Sequence, residues 1–388
     1  MKRERGASYI GFRSMYIFTV CIVFLFSHNA GADPGVNNNE IVLGMSNALS
    51  GPAAALGTGV KKGAMVYFDK INASGVVHGR RIKVISYDDQ YEPKATVANT
   101  EKLIKEDKVF ALFGYVGTPT STAVMPLINK EKILFFGPFT GAEFLRNPVN
   151  KYIFNVRSSY FDEAEAQVDY LTKKQGIKKI SMFLQNDAYG LAVKGGIVKA
   201  LKNRNMAIAG EGLYERNTEN IDAGFAEIRK ANPEAVSMVG TYKAMSAFIK
   251  RAKAEQFNPI FLNVSFVGTA ALIKELGSAG DGVIVTQAVP SPHDTSLQIV
   301  GKYQSDMKAA GYNEFDFTDL EGYIDALVLT EILKKAGQNL TRESFAKAAE
   351  NLNINTGGLK FAYAPNNHQA LNKVYMTKIS GGKAVLMK

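Results

Sequence analysis

The chain has 388 residues, 46% of them hydrophobic, with a formal net charge of +10 and a single cysteine. That length exceeds one ordinary hydrophobic core and suits two, while one cysteine leaves neither a disulfide framework nor a cysteine metal site. The positive charge is scattered (Lys61, Lys62, Arg80, Arg81, Lys173, Lys174, Lys178, Lys179, Lys334, Lys335) rather than gathered with aromatics into a stripe, so nucleic acid is not an expected partner.

The first 32 residues differ from the rest. Lys2, Arg3, Arg5 and Arg13 precede the apolar run MYIFTVCIVFLF from Met15 to Phe26, and Ala30-Gly31-Ala32 follows. This is the pattern of a secretory signal peptide, with cleavage expected after Ala32. The run falls short of the roughly 20 residues that span a bilayer. Its removal takes Cys21 with it and lowers the net charge from +10 to +7. The exported chain then has no thiol and is held together by its cores alone.

From residue 41 onward, short runs rich in Val, Ile and Phe alternate with amphipathic stretches, the signature of βαβ units in a parallel sheet. Strands are expected at 41–48, 81–87, 109–115 and 133–137, with helices near 59–72, 94–106 and 120–130. A second series has strands at 179–185, 207–214, 235–240, 259–264 and 282–287, with helices near 161–175, 190–203, 220–230, 244–256 and 269–276. Helices near 295–310, 319–336 and 341–351 and a β-like tail complete the chain. The class is α/β, with two doubly wound parallel-sheet lobes.

Catalytic chemistry is poorly provided for. Past residue 32 the histidines are His78, His293 and His368, in a turn, a Pro-flanked linker and an Asn-Asn-His segment, and none sits in a nucleophile or metal motif. Asp88-Asp89 reads as a strand-end turn. The run Gly57 to Gly63 lacks the GxxxxGK[ST] spacing of a phosphate loop. Binding is better provided for. The first strand delivers Ser50-Gly51-Pro52 to the carboxyl edge of a sheet, where open α/β folds take their ligands. In GYVGTPTS, Thr118 suits an N-cap and Pro119 the first helical position, so free amides and the helix dipole offer a seat for a carboxylate, helped by the Thr118 and Thr120 hydroxyls. The next strand ends in GPFTGAE, placing Phe139, Thr140 and Gly141 at the same edge.

The segments SGPAAALG, INASGVVHGRRIKVISYDD, GTPTST and PFTGAEFLR fall in order within a pattern covering residues 40–388. That pattern resembles the periplasmic leucine/isoleucine/valine-binding protein family. The resemblance implies a type I periplasmic binding protein whose chain crosses between lobes in a three-stranded hinge, near Val156-Arg157, Ala288-Val289-Pro290 and Leu359 to Ala364. One lobe is then 33–156 with 290–360, and the other 157–289 with 361–388.

The resemblance also assigns site residues. Thr118 matches a carboxylate-binding hydroxyl. Phe139 and Gly141 match two contact positions, with Thr140 adding a hydroxyl between them. Tyr189 and Tyr242 match cleft-facing aromatics of the second lobe, and Leu56, Phe139, Phe317 and Tyr323 would form an apolar wall. At one position the chain departs from the pattern: amino-acid-binding members carry a glutamate after the strand PIFLNV to meet the ligand's ammonium, and Ser265 stands there. Either Asp319 or Glu321 substitutes, or the ligand has no amino group, because an unpaired ammonium is costly to desolvate. Tyr91 and Gly117 stand where some relatives hold a disulfide.

What the resemblance implies overall is a monomeric, periplasmic solute-binding protein of an ABC-type importer. It closes on a small hydrophobic or branched-chain amino acid or related carboxylate and docks on membrane permease subunits. No catalysis, cofactor or metal is implied. The alternatives are a ligand-sensing subunit of a receptor or regulator on the same fold, and a binder of an aromatic or other carboxylate lacking an amino group.

Overall fold

A computed structural model describes residues 33–75 and 77–387, together with Met1 and Gly6. The expected signal peptide, its cleavage point at Ala32 and Cys21 lie outside the described residues. No described helix is long and apolar enough to cross a membrane.

The first sheet is built from β1 (Glu40–Asn47), β2 (Arg81–Asp88), β3 (Ala111–Phe113), β4 (Leu134–Phe136) and β5 (Ile153–Phe154), in the order β2-β1-β3-β4-β5. All its pairings are parallel, with Leu43 opposite Val84 on one side and Ala111 on the other. Helices α1 (Ala54–Ser74), α2 (Pro93–Lys105) and α3 (Thr118–Glu131) make the connections. Burial on both faces explains why β3 and β4 read as unbroken apolar runs.

The second sheet holds β6 (Ile180–Gln185), β7 (Glu211–Tyr214), β8 (Ala235–Val239), β9 (Ile260–Asn263), β10 (Ile284–Gln287), β13 (Tyr375–Ser380) and β14 (Lys383–Leu386), in the order β14-β13-β10-β9-β8-β6-β7. Its core is parallel, while β13 adds antiparallel to β10 and β14 turns back on β13. Helices α4 (Tyr160–Asp169, continued by a wider turn to Lys174), α5 (Ala188–Lys202), α6 (Asp222–Ala231), α7 (Tyr242–Ala254) and α8 (Thr269–Leu276) alternate with these strands. The later helices are α9 (Gln298–Ala309), α10 (Phe317–Ala336) and α11 (Arg342–Glu350).

Helix α10 packs on α1 almost backbone to backbone, which explains the glycine run that superficially suggested a phosphate loop. A Cβ at Gly63 would stand 1.8 Å from the Asp319 carbonyl oxygen, and one at Gly322 would stand 2.1 Å from that of Val60. Those glycines permit close helix contact. α10 is accordingly buried nearly all round over its first four turns.

The chain leaves the first sheet after β5 and enters α4 through Asn155 to Ser159, and it returns after β10. The third passage differs from the sequence expectation. Leu359 to Ala362 form β12, paired antiparallel with β11 (Asn353–Thr356) in a hairpin that the sequence reading did not resolve. Only after this hairpin does the chain run beside Asn155, whose amide donates to His368 O at 2.8 Å, and reach the second sheet at Tyr375. The two-residue strand β5 was also missed, because so short a segment has no periodicity to read.

Candidate ligand cleft

The carboxyl ends of the two sheets meet in a group of buried aromatic rings drawn from both sides. Phe266, in the short turn Ser265–Val267 after β9, has its ring 5.8 Å from Tyr91, 5.4 Å from Phe139 and 4.7 Å from Tyr189. Tyr160, at the start of α4, lies 5.5 Å from Tyr189. All five rings are at most 2% exposed. Tyr91 belongs to the first-sheet side and accepts from Gln185 Nε2 of β6 at 3.3 Å. It lies directly on Gly117 (φ 110°), where a Cβ would stand 2.2 Å from Tyr91 Cε2. A ring thus packs on glycine at this pair of positions.

The anion seat at the start of α3 differs in one detail from the sequence reading. Gly117 is the cap, Thr118 is the first helical residue, and the Thr118 side chain makes no capping bond. Its hydroxyl is therefore released to lie 2.7 Å from that of Thr140. Only one of these two hydroxyls can donate to the other, so one proton remains for a third group. Thr120 is used differently: its hydroxyl donates to the carbonyls of Val116 (2.5 Å) and Gly117 (2.9 Å), and so braces its own helix. The first amides of α3 have no intrahelical acceptor by position, and the dipole there favours negative charge. Ser121 Oγ, in the same turn, is buried without a partner among the described residues.

Beside the rings lies a buried cluster of charges. Arg157, 1% exposed, holds its guanidinium 4.7 Å over the Phe139 ring and donates through Nη2 to Ser265 Oγ. Its Nη2 is 3.5 Å from Glu163 Oε1 and its Nε is 3.5 Å from Glu321 Oε1. Glu163 accepts from the Ser265 amide at 2.7 Å, from Ser265 Oγ at 2.8 Å and from Thr286 Oγ1 at 2.5 Å. Burial pushes Glu163 above the usual carboxylate range, and the Arg157 charge and these donors only partly offset it. Burial likewise raises Glu321 and, far more, Asp325. For Arg157 burial acts to lower the value, but Glu321 and Glu163 outweigh it and hold the guanidinium above its ordinary range.

The remaining expected residues fall in two groups. Leu56 and Tyr242 converge over Gly268, where a Cβ would stand 2.6 Å from Leu56 Cδ2 and 3.6 Å from Tyr242 Cδ1. Phe317, at the start of α10, lines a hollow with Thr269, Ala270 and Ile273. Gly141 joins the cleft group through its carbonyl, which accepts from the Tyr160 amide at 2.7 Å.

Tyr323 and Asp319 lie elsewhere. The Tyr323 hydroxyl donates to Asp306 Oδ2 at 2.6 Å, and its ring packs edge-on to Tyr67 (5.0 Å) and Tyr303 (5.5 Å), within the helix layer of α1, α9 and α10. Asp319 pairs with Lys62 Nζ of α1 at 2.8 Å, yet burial outweighs that ammonium and pushes its carboxyl up to about 7. So Asp319 and Glu321, both named as ammonium partners, meet different cations of the protein itself.

A family model described as periplasmic binding protein matches residues 40–384. The chain belongs to the periplasmic binding protein family. It is a solute-binding protein and not an enzyme, with the α/β two-lobe fold of type I members. Among solved structures it is similar to a possible leucine/isoleucine/valine-binding protein from Rhodopirellula baltica, with 36% identity, a TM-score of 0.86, and coverage of 92% of this chain and 98% of that one. It is 23% identical to the leucine-, isoleucine-, valine-, threonine-, and alanine-binding protein of Pseudomonas aeruginosa over 321 residues, 82% of this chain and 83% of that protein. It is 24% identical to the leucine-specific-binding protein of Salmonella typhimurium over 260 residues, 67% of this chain and 70% of that protein.

Four residues of this periplasmic binding protein escaped the sequence reading: Arg157, Tyr160, Glu163 and Phe266. In the sequence Arg157 stands only at an expected crossover. The available signal was Ser265, since a hydroxyl in place of a carboxylate implies a rearranged partner set nearby. Phe266 adjoins that departure and is the ring that meets most of the others.

Proposed function

We propose that this chain is the exported solute-binding component of an ABC-type importer, which grips a small apolar carboxylate or amino acid between its two lobes and presents it to membrane permease subunits. The observation that supports this most directly is the two-sided character of the cleft. The α3 terminus with the Thr118 and Thr140 hydroxyls comes from one lobe, and Tyr189, Tyr242 and Phe266 come from the other. A ligand touching both sides stabilises the closed form by its differential affinity for it, and the three crossovers act as the hinge. The names of the relatives, which bind leucine and other branched-chain amino acids, point to a ligand of that size. The signal-like first 32 residues fit export, and a micromolar to nanomolar Kd corresponds to roughly 8–12 kcal/mol.

The test is a thermal-shift screen of the purified protein against branched-chain and aromatic amino acids, their 2-oxo acids, simple carboxylates and amides, followed by small-angle scattering with each hit. The expected result is a ligand-dependent rise in Tm together with a fall in radius of gyration. A panel in which no solute moves either quantity overturns the reading.

A further inference from the structure

One polar group left over in the cleft can only donate, the Arg157 guanidinium. Arg157 Nη1 and the Tyr189 hydroxyl are buried and have no hydrogen-bond partner among the described residues, while the Tyr160 hydroxyl interacts with those of Thr140 and Thr118. Arg157 stands 6.0 Å over the Tyr160 ring, and the Tyr160 and Tyr189 rings are 5.5 Å apart. A guanidinium donates only, whereas each phenol can donate its proton or accept through its oxygen.

The carboxylate nearest these groups is closed to a ligand. Each Glu163 oxygen has two donors: Ser265 Oγ and Arg157 Nη2 on Oε1, and the Ser265 amide and Thr286 Oγ1 on Oε2. That fills the acceptor capacity of a carboxylate. Glu321 is paired with Arg157, and Asp319 lies with Lys62 in the α1–α10 contact. Asp325, one turn beyond Glu321, is packed against Gly137, and burial together with Glu321 pushes its carboxyl well above the usual carboxylate range.

An ammonium brought to this point would therefore meet the fixed Arg157 cation, while Glu163 is filled and Glu321 already pairs with that same cation. Like charges in a desolvated site repel strongly, and buried donors without acceptors are costly. An oxygen acceptor at the same point would instead complete the Arg157 and tyrosine donors. Resting on the solute-binding function proposed above, we infer that the natural ligand is an apolar carboxylate without an ammonium group. It carries an uncharged acceptor such as a 2-oxo group where an amino acid has its nitrogen. The carboxylate takes the α3 seat, the acceptor meets Arg157, and the apolar body lies among Phe139, Phe266 and Tyr189.

The test is isothermal titration of the purified protein with two matched pairs: leucine against 4-methyl-2-oxopentanoate, and phenylalanine against phenylpyruvate. In the better-bound pair the oxo acid is expected to bind about a hundredfold tighter than the amino acid, as a site whose buried polar groups discriminate one ligand from its mismatch would do. Tyr189→Phe, which removes one hydroxyl and keeps the ring, should weaken the oxo acid several-fold and leave Tm close to that of the parent protein. An amino acid that binds as tightly as its oxo partner overturns the inference while leaving the solute-binding function intact. So does tight binding of some other panel solute when both oxo acids fail. If no solute of the wider panel binds at all, the functional proposal itself falls.

Discussion

The two faces of the cleft are built from different material. The first-lobe face offers main-chain amides, the Thr118 and Thr140 hydroxyls and the positive end of α3, all groups that recognise charge and are fixed by the helix itself. The second-lobe face offers Phe266, Tyr189 and Tyr242, which recognise area and shape. Between them stands Arg157, on the first crossover, touching Glu321 of one side and Glu163 and Ser265 of the other. On the proposed function, the contrast teaches that polar specificity would be set by one side and the crossover, whereas closure would bury the ligand against the other.

The largest effect should come from the hinge cation. Arg157→Gln leaves Glu163 and Glu321 without their shared partner, and a broken buried pair is expected to cost about 3–5 kcal/mol in urea unfolding. An unchanged midpoint would mean the cluster is only loosely coupled to the fold. Next, Phe266→Ala removes the ring that both faces share and should cost about 3 kcal/mol. Because that ring ties the two sides together, ligand affinity should fall as well. Loss of stability with full affinity would assign Phe266 to packing alone.

The third expectation concerns pH. Burial raises Asp89 from 3.8 to about 6, against the Ser46, Tyr91 and Thr96 donors, and raises Asp319 to about 7. The unfolded chain releases these protons near pH 4 while the folded one retains them, so their contribution to stability falls as pH rises from 4 and is fully lost above 7. The loss is on the order of 3 kcal/mol for Asp89 and about 4 kcal/mol for Asp319. Asp319→Asn should flatten that decline relative to the parent chain, and an identical slope in both would refute the assignment.

Smaller still, Thr118→Val should weaken the panel solute with the largest thermal shift by about 1 kcal/mol, roughly fivefold in Kd. A matching loss for Thr120→Val would contradict the role of Thr120 as a helix brace. Smallest is the rim, where Arg216 reaches Glu92 at 2.9 Å and Asp187 at 3.1 Å with both acidic partners partly exposed. Arg216→Ala should change stability by less than about 1 kcal/mol.

Much of this was readable from residue order. The alternation of apolar runs and amphipathic stretches located nearly every strand and helix, because sheet burial and helix periodicity are local patterns. GTPTS announced a helix start at a sheet edge for the same local reason. What escaped depended on partners far away in sequence. Nothing near Tyr323 said that its hydroxyl would find Asp306 in the helix layer, or near Asp319 that Lys62 would cross from α1 to meet it.

The sequence by itself determined the class, the order of elements and the helix start at Gly117 and Thr118 on the sheet edge, since each follows from neighbours within a few residues. Only the tertiary structure decided the electrostatics of the cleft. Arg157 and Ser265 are separated by more than a hundred residues, and Glu321 lies on a late helix. The charge a buried group carries depends on which distant partners exclude water from it.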